Sequence, residues 1–217
     1  MTRSAKWTLV IAAAIAVVLG GFVVELRGAG PDEPAAQQSG GALDDTARDR
    51  RAADTAEALA GPRRLADLRP CPTGGDAPGP EALRSVVLEC ASDGVPVDVA
   101  RAVAGRPAVL NLWAYWCGPC TDELPAMQEY QRRVGPDVTV LTVHQDANEE
   151  AALLRLADLG VRLPTLQDGR RRVASALRVP NVMPATVVLR ADGSVAKILP
   201  RAFADADEIE VAVGDLR

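Results

Sequence analysis

The sequence predicts an α/β domain with a mixed central β-sheet flanked by helices, carried behind an N-terminal transmembrane anchor. Three observations point there. Short apolar, β-branched runs alternate with segments of helical spacing from Val86 onward. The last two such runs, Thr186 to Leu189 and Val195 to Leu199, are joined by the turn signal Asp192-Gly193, which makes an antiparallel hairpin beside otherwise crossover-connected strands. At the other end, Trp7 to Val24 is 18 residues without a charge.

Taken in order, the N-terminal run is preceded by Arg3 and Lys6 and closed by Glu25 and Arg27. A helix of that length just spans a hydrocarbon core. The positive charges ahead of it favour a cytoplasmic N-terminus, with the rest of the chain outside. A cleaved secretory signal is the alternative, although such signals have shorter apolar cores and Gly28-Ala29-Gly30 is a poor small-x-small site next to Arg27. No cysteine follows the run, so a lipid anchor is not expected. Either reading puts the domain where disulfides persist. Residues 1–24 therefore read as cytoplasmic tip and anchor, 25–62 as a tether and 63–217 as the folded domain. Gly28 to Pro31 and Pro34 to Gly41 form loops. Ala42 to Ala60 has only Leu43 and Leu59 as large apolar residues, and so reads as a solvated spacer, helical at most.

Within the domain, Val86 to Leu88 and Val95 to Val99 are expected strands around the Asp93-Gly94 turn, forming a short β extension. Val109 to Trp113, bounded by Gly105 and Pro107, reads as a buried strand. A helix is expected from about Cys117 to Val134, kinked at Pro125. Val138 to Val143 is the next strand; Glu149 to Leu159, Val173 to Leu177 and Asp207 to Leu216 are expected helices.

Composition narrows the function. A net charge of -5 with no Lys/Arg run gives no footprint for nucleic acid. The four cysteines are Cys71, Cys90, Cys117 and Cys120, and only the last two form C-x-x-C. A structural zinc site needs two close pairs, so no metal is expected. Nothing calls for a second copy, and the chain is expected to act as a monomer.

The chemistry concentrates in Trp116-Cys117-Gly118-Pro119-Cys120. Two thiols separated by one helical turn can close and open a disulfide. At a helix start, the first cysteine meets unpaired backbone N–H groups and the positive end of the dipole, which stabilise its thiolate. Cys117 should therefore be the exposed attacking nucleophile, and Cys120, one turn inside, should resolve the mixed disulfide. Cys71 and Cys90, 19 residues apart around a Gly/Pro-rich loop, are expected to pair as a structural staple. A second redox pair is the sharper alternative.

Val109 to Cys120 resembles the active-site strand and turn of the thioredoxin superfamily. Its continuation Thr121-Asp122-Glu123-Leu124-Pro125 is similar to the C-x-x-C-x-x-E-x-P pattern of the extracytoplasmic TlpA/ResA/CcmG branch, as are Asp93 to Val97 and Val143-His144-Gln145-Asp146. The resemblance covers roughly Ala91 to Arg217 and implies a thioredoxin fold. It also implies a proline loop facing the cysteines, with Pro184 as that proline and Met183–Pro184 cis. The backbone before such a proline can pair with an extended substrate, so Met183 joins Trp116, Gly118 and Pro119 as expected substrate contacts. Cytoplasmic thioredoxins carry a buried aspartate where this chain has Asn111. Glu123, three residues after Cys120 on the same helix face, is the group the branch pattern offers for proton transfer. The plainer alternative is a surface carboxylate. Trp113 is expected to pack beneath the site, and His144, the only histidine, to be a loop or core residue.

The resemblance implies a thiol–disulfide oxidoreductase with no cofactor beyond the Cys117–Cys120 disulfide, acting on protein thiols and disulfides. The expected direction is reduction of exported proteins, apocytochrome c among them, with electrons from a membrane donor. Gly118-Pro119 favours a reducing poise by analogy with thioredoxin, at about -270 mV. Oxidative folding of secreted proteins, as oxidase or isomerase, is the alternative, and a non-catalytic binding module a lesser one. A thiol peroxidase would want Thr where Ala114 stands, and a copper chaperone would want one more residue between the cysteines.

Overall fold

The strand Ala108–Trp113 is buried along its whole length, as a strand covered on both faces must be, and this is why it reads as a continuous apolar run. It is the centre of the sheet. The computed structural model describes residues 54–75, 77 and 79–215. The described residues belong to one compact unit, within residues 47–217. The anchor expected at Trp7 to Val24 lies outside them. Among the described residues no helix is long and apolar enough to cross a membrane.

In chain order the elements are α1 (Ala56–Ala66), a 3-10 turn (Glu81–Leu83), β1 (Val87–Cys90), β2 (Pro96–Asp98), α2 (Val99–Ala102), β3 (Ala108–Trp113), α3 (Gly118–Val134), β4 (Thr139–His144), α4 (Glu149–Asp158), β5 (Thr165–Gln167), α5 (Arg172–Ala176), β6 (Ala185–Leu189), β7 (Val195–Leu199) and α6 (Ala206–Val213). The sheet order is β2-β1-β5-β4-β3-β6-β7. β3, β4 and β5 run parallel. β6 and β7 continue antiparallel on one side, and β1 and β2 on the other. The fold is the mixed α/β sheet of thioredoxin-like proteins, with β1–β2 as the short extension.

Alternation along β3 divides the core. Val109 and Trp113 join Leu124, Met127, Leu153, Leu156, Phe203 and Ile209 on the face covered by α1, α3, α4 and α6. Leu110 and Leu112 join Leu83, Val99, Leu141 and Val173 on the other. Asn111, between them in period two, therefore points toward α3.

Two expectations need correction. The tether does not run to residue 62: α1 begins at Ala56, capped by Thr55, and belongs to the domain. Leu59 is 1% exposed. Arg63 pairs with the buried Glu149 at 2.9 Å. A single leucine is enough because the helix adds to the face of α4 and needs no core of its own. β5 was missed because Thr165-Leu166-Gln167 is too short to show a pattern; its pairing with β1 and β4 makes it a strand.

Cys71 and Cys90 form a disulfide across 5.8 Å between Cα atoms, tying the segment before the 3-10 turn to the end of β1. Closing a loop of that size constrains the unfolded chain by roughly 3 kcal/mol. The double variant Cys71→Ser/Cys90→Ser should therefore melt about 10 °C lower. An unchanged melting temperature would remove the stapling role.

Candidate redox site

β3 delivers the chain to the site. After Trp113 the backbone turns, with the Cys117 N–H donating to the Ala114 carbonyl at 3.0 Å. Cys117 is the N-cap of α3, and its Sγ accepts the Cys120 N–H at 3.3 Å. Pro119 sits in the first turn, where its missing N–H costs nothing. Cys117 and Cys120 are disulfide-bonded. Cys120 is fully buried and Cys117 is 6% exposed. Cys117 is thus less open than the sequence suggests, yet it is the one cysteine of the pair with any exposed surface, so attack from outside falls there.

Trp116 is 59% exposed. Its indole Nε1 donates to Asp146 Oδ2 at 3.0 Å, so a large apolar face is held fixed at the rim. Trp113 is wholly buried, 5.0 Å from the His144 ring. His144 is also buried. Its Nε2 accepts the Tyr115 N–H at 3.4 Å, which leaves Nδ1 to donate to Gln167 Oε1 at 2.8 Å. Burial pushes its pKa down, so it is a neutral core residue that props up the turn before the cysteines.

Glu123 is fully buried. Its Oε2 accepts a hydrogen bond from Asn111 Nδ2 at 2.8 Å. Burial pushes the carboxyl up to about 7, against the opposing pull of the Asn111 amide, the Phe203 backbone and the Arg201 charge. Thr186 lies directly across from Asn111 in the β3–β6 pairing. Glu123 Oε1, Asn111 Oδ1 and Thr186 Oγ1 are all buried without a hydrogen-bond partner. A polar patch thus lies inside the apolar face one helical turn beyond Cys120, and the surface-carboxylate alternative falls away.

The Met183–Pro184 peptide is cis. Ala185 pairs with Leu112, so the residues before Ala185 necessarily lie beside those after Leu112, which lead to the cysteines. Met183 is half-buried against the core cluster that contains Cys117 and Cys120, and Val182 is 40% exposed. Cys117, Cys120, Glu123, Trp116 and the Met183–Pro184 loop therefore converge at the C-terminal edge of β3, with Gly118 and Pro119 opening α3 between them. Cys71 and Cys90 sit apart, on the β1 side of the sheet. Sequence reasoning missed Arg171, Gln145 and Asn181, which tie the surrounding loops together. Arg171 lies in the run Arg170-Arg171-Arg172, which looks like solvated charge.

Comparison with known proteins agrees with this geometry. Residues 75–211 match the Redoxin family. Over 96 residues the chain is 29% identical to the thiol-disulfide oxidoreductase ResA of Bacillus subtilis, covering 44% of this chain and 53% of that one. Over 113 residues it is 26% identical to ResA of Oceanobacillus iheyensis, covering 52% and 58%. The chain thus spans little more than half the length of these relatives. A secreted Mycobacterium tuberculosis disulfide oxidoreductase homologous to E. coli DsbE superposes with TM-score 0.53 at 27% identity, covering 61% of this chain and 96% of that one. A DsbF homologue from Corynebacterium diphtheriae superposes with TM-score 0.50 at 26% identity, covering 59% and 81%. The chain belongs to the Redoxin family, as a thioredoxin-superfamily protein of the TlpA/ResA/CcmG-like kind.

Proposed function

We propose that this protein is an extracytoplasmic thiol–disulfide oxidoreductase, held at the membrane by Trp7 to Val24, that reduces disulfides in exported proteins. The carrying observation is the Cys117–Cys120 pair at the N-cap of α3, with surface on Cys117 alone and the buried Glu123 one turn beyond Cys120. In the dithiol state the Cys117 thiolate, stabilised by the Cys120 N–H and the helix start, attacks a client disulfide. One client sulfur leaves as thiolate and a mixed disulfide forms. Cys120 then gives up its proton to Glu123 and attacks the Cys117 sulfur, releasing the second client thiolate and closing Cys117–Cys120. Two electrons pass to the client. They are restored by a membrane-bound dithiol donor, which an anchored domain meets readily. Names among the relatives, ResA and DsbE, support the class of reaction. Apocytochrome c before haem attachment is the client we favour, because a chain with two nearby cysteines must be reduced to accept haem.

The test is the reduction potential of Cys117–Cys120 in the full-length chain equilibrated with glutathione buffers. A value near or below about -250 mV fits a reductase. A value of about -120 to -180 mV would turn the reading to oxidation or isomerisation and remove the cytochrome client.

A further inference from the structure

We propose that Arg171 is a positioning residue for polypeptide clients: its guanidinium bridges the two loops that flank the active-site turn and holds the Met183–Pro184 loop where a client's backbone meets it. The inference rests on the oxidoreductase reading above. Arg171 Nε donates to Gln145 Oε1 at 2.9 Å, and its Nη1 donates to Asn181 Oδ1. Gln145 is the first residue after β4. It is 5% exposed, and its backbone N–H donates at 2.8 Å to the carbonyl of Trp113, the last residue of the strand that leads to Cys117. Asn181 lies three residues before Pro184, at the start of the loop on the opposite side of β3. One cation thus joins the two sides of the site.

The local backbone is built to present it. Arg171 has φ 54, a left-handed conformation that a residue with a side chain adopts at a cost. That turn is fixed from below by Asp168, 1% exposed, whose carboxylate accepts the N–H groups of Arg172 and Val173 at 2.8 and 2.9 Å. Met183 and Pro184 pack inward, but the start of the loop that Arg171 reaches does not. Asn181 is exposed and Val182 is 40% exposed, so the charge-assisted bond to Asn181 ties down the part of the loop that packing leaves free. A polypeptide lying along the backbone at Met183 depends on that order. A small disulfide, which needs only the Cys117 sulfur, does not.

The experiment compares the full-length chain and its variants on two substrates: insulin, with dithiothreitol restoring the dithiol after each turnover, and the small aromatic disulfide 5,5′-dithiobis(2-nitrobenzoic acid), followed in a single turnover of the pre-reduced chain without added reductant. Arg171→Ala and Asn181→Ala should each raise KM for insulin about tenfold, the worth of one charged hydrogen bond, with kcat and the rate on the small disulfide unchanged. Arg171→Lys, which can reach one acceptor but cannot fork to two, should fall between. Unchanged insulin KM, or an equal loss on both substrates, overturns the positioning role while leaving the oxidoreductase intact. A wild-type chain inactive on both substrates overturns the oxidoreductase reading and this inference with it.

Discussion

Cys117→Ser should reduce disulfide turnover to the uncatalysed background, while Cys120→Ser should stop after one event and hold the client as a mixed disulfide. The asymmetry follows from burial. Cys120 has no exposed surface and Cys117 retains 6%, so a client sulfur can reach only Cys117. The Cys117 sulfur also accepts the Cys120 N–H, and it occupies the cap of a 17-residue helix, where partial positive charge favours thiolate. Serine there keeps the cap geometry but is not a nucleophile toward sulfur at neutral pH. In Cys120→Ser the attack survives and the resolving step is lost, so non-reducing mass spectrometry should find the chain joined one-to-one to its client through Cys117. Turnover retained in Cys117→Ser, or a mixed disulfide traced to Cys120, would sink the mechanism. A trapped client from exported protein extracts would also identify what the enzyme acts on.

How far this site was readable in the sequence depended on whether the signal was local. The β3 strand and Cys117–Cys120 announce themselves because burial on both faces gives an unbroken apolar run and the chemistry needs both thiols within one turn. Pro184 was legible only through the family resemblance, because a proline before a strand is common without being cis. The sequence placed Glu123 on the right helix face, but its burial was not visible. That comes from the register of β3, whose period of two turns Asn111 toward α3, and from the Arg201–Phe203 segment, whose charge and backbone act on the carboxyl. α1 was mistaken for spacer because its attachment lies in contacts to α4, in Leu59 and in the Arg63–Glu149 pair, 86 residues apart in sequence. Arg171 was invisible for the same reason. Its partners are 26 residues before it and 10 after it, and no periodicity marks a side chain that bridges loops.

Glu123→Gln should slow release of the client from the mixed disulfide about a hundredfold, the lower range for losing a positioned proton acceptor, and should abolish a pH dependence centred near 7. The carboxyl is pushed from 4.5 up to about 7 by burial, so in the wild type it passes from proton donor to proton acceptor across neutral pH. Only the ionised form can take the Cys120 proton, so the resolving rate should rise with pH through about 7. Glutamine fills the same space and can still meet the Asn111 amide, but it takes no proton. Stability supplies an independent reading of the same group. Between 4.5 and about 7 the folded chain holds the Glu123 proton and the unfolded chain does not. Stability is therefore fully present below the lower value and falls as pH rises to the upper one, by an amount on the order of 3 kcal/mol. Glu123→Gln should lose that fall and be the more stable protein at pH 8. Urea unfolding at pH 5 and pH 8, with single-turnover release over the same range, separates the outcomes. If the kinetic inflection persists in Glu123→Gln while the stability change vanishes, Glu123 is buried and titrates near neutrality but another group takes the Cys120 proton. If both vanish together, the carboxylate that burial makes costly is the one that takes the proton as Cys120 resolves the disulfide, and the same desolvation that weakens the fold above neutral pH is what tunes the acid to its task.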